Sequence, residues 1–314
     1  MSKERKKKSK EQLIITLITF LFILILGILD RKGIISLEAI RDYVSGAEVT
    51  TEKVQSTSSN LTGDTIKIYF FDVGQADSIL LTSNGESMLI DAGNNGDGRT
   101  VVNNIENLGI TKLNYVVGTH PHADHIGGLD TVIKAFDVGT IYMPKIQTNT
   151  KTFEEVLDAI ADKGKKVSTP KVGSTFKVGD INCEIMLAGT GTEEEQNANY
   201  NLSSIVIRAT YGEQSYLFTG DAEDLNEASR EWPQTNVLKV GHHGSSTSSS
   251  QSFLEQIKPE VAIIQLGDGN DYGHPHKQVL KRLKKIGAVI YRTDKNGTIT
   301  ITSDGKINII ETEK

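Results

Sequence analysis

The sequence predicts an α/β fold: two sheets packed face to face with helices outside, preceded by one apolar helix. Three observations predict it. From residue 65 onward, short apolar runs closed by Gly, Asn or Asp alternate with segments of helical apolar spacing. These runs form two strand-rich series with helices interleaved, which is a layered arrangement. The densest cluster of chemically able side chains, Thr119-His120-Pro121-His122-Ala123-Asp124-His125, follows directly on an apolar strand. Function gathers at the carboxyl ends of strands in such sheets. A length of 314 residues allows one large domain plus an appendage.

Residues 1–12 form a basic tail. Six of the first ten residues are Lys or Arg against Glu4, a net of +5; the whole chain carries −6, so the remainder, by difference, carries −11. That acidic bulk argues against broad, salt-driven nucleic-acid binding, although it allows a local basic groove. Residues 13–29 are an apolar run at the short end of what spans a bilayer. No small-x-small cleavage pattern follows, which disfavours a cleaved signal peptide. A run apolar all round behind a basic flank also disfavours a buried helix. A signal anchor fits best, with the N-terminus cytoplasmic and the remainder outside. Residues 30–64 read as a linker with one short helix near residues 34–40, then a Ser/Thr-rich flexible stretch.

The domain, residues 65–314, starts with strands marked by Ile66, Ile68, Phe70 and Val73, then Ile79-Leu80-Leu81 and Met88-Leu89-Ile90. Asn84-Gly85 between the last two is a hairpin signal. A helix over 99–108 precedes a buried strand at 113–118 and the histidine cluster, whose trailing Ile126-Gly127-Gly128-Leu129 opens a helix. A strand at 140–143 and a helix over 153–161 close the first series. The second has strands at 175–178, 181–187, 204–209, 215–218, 237–240, 261–266, 289–292 and 298–301, with 307–310 as an edge. Helices are expected over 222–231, 252–257 and 277–285. Cys183, the sole cysteine, lies between Ile181 and Ile185 and reads as strand packing.

All seven histidines fall in three clusters: His120/His122/His125, His242/His243 and His274/His276. Scattered packing histidines would not do this. Imidazole nitrogens and carboxylate oxygens are good donors to divalent metals. Asp221 ends the apolar strand Tyr216-Leu217-Phe218 and reads as a ligand, a helix N-cap, or both.

The motif HxHxDH followed by Ile-Gly-Gly resembles the signature of the metallo-β-lactamase (MBL) fold hydrolases. With Phe71-Asp72-Val73-Gly74-Gln75-Ala76-Asp77-Ser78, Phe218-Thr219-Gly220-Asp221, Lys239-Val240-Gly241-His242-His243-Gly244-Ser245 and Tyr272-Gly273-His274-Pro275, it resembles the soluble MBL domain of the competence protein ComEC family. The resemblance covers about residues 65–312. It implies a four-layer αβ/βα sandwich and two divalent metal ions, Zn2+ or Mn2+. It assigns His120 and His122 to one ion, Asp124 and His125 to the other, Asp221 as bridge and His243 as the last ligand. Taking residues 242–243 as extended chain, only one of His242 and His243 faces a given metal, so His242 is read as a substrate contact or ligand support.

Many MBL enzymes carry a further histidine before the bridging aspartate; here there is none between His125 and His242, and the corresponding stretch is Asn197-Ala198-Asn199-Tyr200-Asn201-Leu202-Ser203-Ser204. The first ion is then short of a nitrogen, to be completed by water or an asparagine oxygen. Asp124, His242 and His274 are the catalytic candidates, Asp124 orienting hydroxide and His274 touching phosphate or serving as general acid. His276 reads as surface and Asp91 as a brace for the ligand loop. Asp72 and Asp77 are as readily turn residues as functional ones, and Ala76 stands where the family usually has glycine. The Ser-rich stretch 244–250 is either a phosphate contact or a plain loop.

The expected function is a membrane-anchored extracellular phosphodiesterase, a DNase of the competence type. Two alternatives stay open: a phosphodiesterase on cell-wall or phosphocholine polymers, and a non-catalytic module. A single apolar helix excludes a pore as the sole role.

Overall fold

The computed structural model describes residues 61, 63–189 and 199–314. The basic tail, anchor and most of the linker lie outside the described residues, as do Asn197 and Ala198. Among the described residues no helix is long and apolar enough to cross a membrane.

The domain opens with β1 (Ile66–Phe70), β2 (Ile79–Ser83) and β3 (Glu86–Ile90), an antiparallel meander. The β2–β3 turn is Asn84-Gly85, both at positive φ (46° and 76°), a twist that matches the flanking strands. Helix α1 (Gly98–Asn107) crosses to β4 (Lys112–Val117), which lies parallel to β3. The short α2 (Ala123–Ile126) and α3 (Leu129–Ala135) lead to β5 (Asp137–Tyr142), then α4 (Lys151–Asp162) and the two-residue edge β6 (Val167–Ser168).

The second series is β7 (Thr175–Val178), β8 (Ile181–Leu187), β9 (Val206–Tyr211) and β10 (Gln214–Phe218), all antiparallel neighbours. It continues with α5 (Asp224–Ala228), β11 (Val237–Lys239), α6 (Gln251–Ile257), β12 (Val261–Ile264), α7 (Lys277–Lys285) and β13 (Val289–Arg292). Strands β10 to β13 run parallel. After α8 (Thr293–Asn296), strands β14 (Ile299–Ser303) and β15 (Asn308–Thr312) cross back to the first sheet. There β14 pairs with β1, Ile301 opposite Ile68. The sheet orders are β15-β14-β1-β2-β3-β4-β5-β6 and β13-β12-β11-β10-β9-β8-β7.

Side-chain alternation sorts the core into three seams. Ile68, Phe70, Leu81 and Met88 meet Ile185, Ile207, Tyr216 and Phe218 between the sheets. Leu80, Leu89 and Val116 face the other way, onto Val101, Val132 and Val156 of the first helical layer. Leu217, Leu238 and Ile264 pack on Phe253, Leu254 and Leu283 of the second. This is the four-layer αβ/βα order. Cys183 sits in the middle seam, its thiol pushed up to about 12 by burial, so the packing reading holds.

The helix expected over 222–231 is shorter. Glu223 caps it: its side chain accepts from the third helical residue while the Asn226 side chain accepts from Glu223 N. Asp221 therefore lies two residues before the cap and is not the N-cap.

Candidate metal centre

Every candidate side chain sits at one end of the two sheets. Asp77 joins β1 to β2, Asp91 ends β3, His120 to His125 follow β4, Asp221 follows β10, and His242–His243 follow β11. Backbone bonds lock the first loop to its neighbours: Ala92 N donates to His125 O (2.8 Å) and Asp77 N to Asp124 O (3.1 Å). The approach is so close that a Cβ on Gly127 would overlap the Asn95 backbone and one on Gly128 the Ala92 carbonyl. This is the physical content of the Ile-Gly-Gly that follows the histidines.

Four donor atoms converge. His125 Nε2 lies 3.2 Å from Asp221 Oδ1 and 4.0 Å from Asp124 Oδ2. His243 Nε2 lies 3.2 Å from Asp124 Oδ2 and 3.8 Å from Asp221 Oδ1. All donor atoms of this set fall within 4.8 Å of one another. Ligands about 2.0–2.2 Å from a tetrahedral ion stand roughly 3.3–3.6 Å apart, so the spacing fits one cation. Moreover, His125 Nε2, Asp221 Oδ1 and His243 Nε2 are buried without a hydrogen-bond partner. Buried polar atoms are rarely left so; a cation at their centre satisfies all three.

The other oxygen of Asp221 looks out on a different group. His120 Nε2 is 3.9 Å and His242 Nε2 3.6 Å from Oδ2. His122 Nδ1 is 3.0 Å from His120 Nε2. The sequence alone predicts extended chain at residues 242–243. Instead both are in the left-handed region (φ 49°, ψ 48° and φ 51°, ψ 23°), so both rings turn toward Asp221, one to each oxygen. His242 thus stands where the sequence lacks a nitrogen donor. Of the described asparagines in the stretch expected to offer an oxygen, Asn199 Oδ1 accepts from Asn201 N (3.0 Å), while Asn201 donates its Nδ2 to Glu223 Oε1 (3.1 Å) and keeps a buried Oδ1 without a hydrogen-bond partner.

The outward nitrogens are held from behind, as ligating imidazoles require. His125 Nδ1 meets Asp91 Oδ2 at 2.8 Å, and Asp91 in turn accepts from Thr119 N and Oγ1. The bracing role expected of Asp91 is what the geometry shows. His243 Nδ1 donates to Gln265 O (2.9 Å) and lies 3.3 Å from Asp77 Oδ1. Asp77 is itself paired with Lys239 at 2.7 Å, both fully buried. Nothing in the sequence signals a role for Lys239, since a lone lysine in an apolar strand carries no partner signal. Behind His242 stand Glu223 Oε1 (3.2 Å) and Thr247 Oγ1 (3.1 Å).

Charge follows this packing. Burial alone would lower His125 and His243, but the surrounding carboxylates, Asp221 foremost, raise both, His243 to about 10. Burial would raise Asp221, yet His125 and His243 hold it well below the carboxylate range. His120 and His122 are lowered by burial. His274 is lowered to about 4 by burial and by its neighbours His243 and His242, so its ring is neutral at neutral pH.

The cleft above these groups measures about 280 Å3 and is walled by Gln75, His122, Asp124, His242, Tyr272 and His274. The structure therefore brings His120, His122, Asp124, His125, Asp221, His242, His243 and His274 together at one site. His276 is not a surface residue: it is half-buried and its Nδ1 accepts from Ser246 N (2.8 Å). Asp72 stays outside, paired with Lys314 (3.0 Å).

Residues 71–268 match the family described as Metallo-beta-lactamase superfamily. The chain belongs to that superfamily. It is 34% identical over 195 residues to ComE operon protein 3 of Bacillus subtilis, covering 61% of this chain and 25% of that protein. It is 28% identical over 235 residues to Competence protein ComA of Neisseria gonorrhoeae, covering 73% and 31%. The chain thus spans under a third of the length of these relatives. Among solved structures, the metallo-beta-lactamase fold protein YhfI from Bacillus subtilis superposes with a TM-score of 0.53 at 12% identity, over 77% of this chain and 100% of that one. That likeness supports the fold. The chain is a metal-dependent hydrolase of this superfamily, related to competence proteins.

Proposed function

We propose that this superfamily member is a two-metal phosphodiesterase acting on DNA, anchored by residues 13–29 with its catalytic domain outside the membrane. One observation carries the two-metal reading: the oxygens of Asp221 address two separate donor sets. Oδ1 meets His125 and His243 beside Asp124, and Oδ2 faces His120 and His242 beside His122. The residues fit two divalent ions, zinc or manganese, since the donors are imidazole and carboxylate with no thiolate.

When bound, such a pair supplies hydroxide near neutral pH and neutralises phosphodiester oxygens. The chain's own groups do the rest. Asp124, 30% exposed in its side chain, reaches the cleft and orients the attacking oxygen through its carboxylate. His274 lines the cleft beside His242 and His243 and serves as a phosphate contact or as the general acid for the leaving group. Asp91, Asp77 and Gln265 keep the histidine rings aimed. The competence-related names of the relatives support DNA as substrate, and the basic flank before the apolar run supports the orientation.

The test uses the purified full chain, stripped of metal and then given manganese or zinc, on single-stranded and plasmid DNA, with His122→Ala as control. Cleavage by the metal-loaded wild type, falling at least roughly 100-fold in the variant, is expected. Equal activity in the variant, or no cleavage by the loaded wild type, overturns the reading. Release of phosphocholine without DNA cleavage points instead to wall polymers. Protease added to intact cells that leaves the domain whole overturns the outward placement.

A further inference from the structure

The mouth of the cleft carries a second feature outside the donor set. Tyr272 is 68% exposed, yet its ring is held in place. It stacks on His274 with centroids 5.6 Å apart and planes 23° from parallel. Asn270 fixes the loop below it, its Nδ2 donating to Gly267 O and His274 O and its Oδ1 accepting from His274 N. An aromatic ring that faces solvent at the edge of a catalytic cleft, on a bonded loop, is a stacking surface rather than a packing residue.

Helix α7 starts five residues later and is fastened to the same site. His276, its N-cap, donates through its backbone N–H to Gly244 O (2.9 Å), in the turn that bears His242 and His243. Lys277, Lys281 and Lys284 fall at i, i+4 and i+7, a single stripe opposite the buried Val279 and Leu283. All three are exposed. Among the described residues none of the three makes an ion pair, whereas Lys285 pairs with Glu255. The helix has no acidic residue, in a chain of net charge −6. The stripe runs about 10 Å along the helix.

We infer that this face guides a single nucleic-acid strand away from the cleft: a base stacks on Tyr272, and the following phosphates track Lys277, Lys281 and Lys284. The inference rests on the reading of the cleft as a phosphodiester site. A single strand is required because the ring needs the free face of an unstacked base.

The experiment measures fluorescence anisotropy of a labelled twelve-nucleotide DNA strand on the full chain in EDTA, so that nothing is cut. Tyr272→Ala is expected to weaken binding roughly 5- to 150-fold on the normal strand and to have no effect on an abasic strand. The triple variant Lys277→Gln, Lys281→Gln, Lys284→Gln is expected to reduce the slope of log K against log salt by about 2, at about 0.7 per phosphate. Its hydrolysis of bis(p-nitrophenyl) phosphate with metal should match wild type. Unchanged affinity and slope in both variants overturn the inference. So does a wild type that hydrolyses the small diester but binds no strand. A wild type that binds as expected yet hydrolyses no phosphodiester leaves the strand path standing and removes the proposed activity instead.

Discussion

The two oxygens of Asp221 look out on unlike surroundings. On the Oδ1 side, His125 and His243 are fully buried and backed by groups that are themselves buried: Asp91, Asp77 with Lys239, and the Gln265 carbonyl. On the Oδ2 side, His242 is backed by Glu223 and Thr247, both reached by solvent. His122 is partly exposed too, whereas His120 on this side is fully buried, with Thr119 Oγ1 3.2 Å from its Nδ1. On the first side all four donors lie within 4.8 Å of one another; on the second, His120 Nε2 stands 3.0 Å from His122 Nδ1, and Asp221 Oδ2 stands 3.6 Å from His242 and 3.9 Å from His120. The difference teaches that the centre is built from a prearranged half and an adaptable half. A buried support holds a ring in one orientation, while a wet one lets it move.

The largest test of that contrast is Lys239→Met. It leaves the Asp77 carboxylate buried without its cation, which costs about 3–5 kcal/mol of stability, read from the urea midpoint. Adding Asp77→Asn should restore part of the loss, since the two act on one pair. A methionine variant as stable as wild type would break the contrast.

Next in size are the two adjacent histidines. His243→Ala should remove the tighter ion altogether. His242→Ala should keep that ion and weaken the other by roughly 10- to 100-fold, the usual cost of disturbing a ligand's surroundings or more. Elemental analysis after dialysis, then calorimetric titration, separates the two. Equal losses in both variants would mean the sides are alike.

The smallest effect belongs to Glu223. Burial alone would raise its carboxyl, but bonds from His242, Asn201, Thr247 and Asn199 bring it to about 2, below the ordinary 4.5. A depressed value stabilises the fold above about pH 4.5, and that contribution fades as pH falls through 2. Glu223→Gln should therefore lower stability near neutrality and flatten its fall as pH drops from about 4.5 through 2, so that variant and wild type converge in acid. Thermal melts across pH 2–6 would show it. An unaltered acid limb would remove Glu223 as the support of the outer half.

Local patterns carried much of this in the sequence. The Asn84-Gly85 hairpin, the strand before His120 and the aspartate after Phe218 are each written in adjacent residues, and each formed as expected. What escaped depends on partners far along the chain. Lys239 and Asp77 are 162 positions apart and neither announces the other. The left-handed turn at His242–His243 is not legible because nothing in the pair itself demands positive φ; only Gly241 and Gly244 flank it. The return of β14 to pair with β1 joins the last strands of the described residues to the first of them, which no periodicity reports. The helix after Asp221 starts late because the reciprocal Glu223–Asn226 cap sets its origin.

The donor inventory has one last consequence. Nitrogen and oxygen do all the converging, and the chain's lone sulfhydryl is sealed between the sheets. Peroxide or disulfide stress would find no exposed thiol here to convert to sulfenate or to cross-link, so the donor set carries none of the oxidation liability of a thiolate-ligated centre.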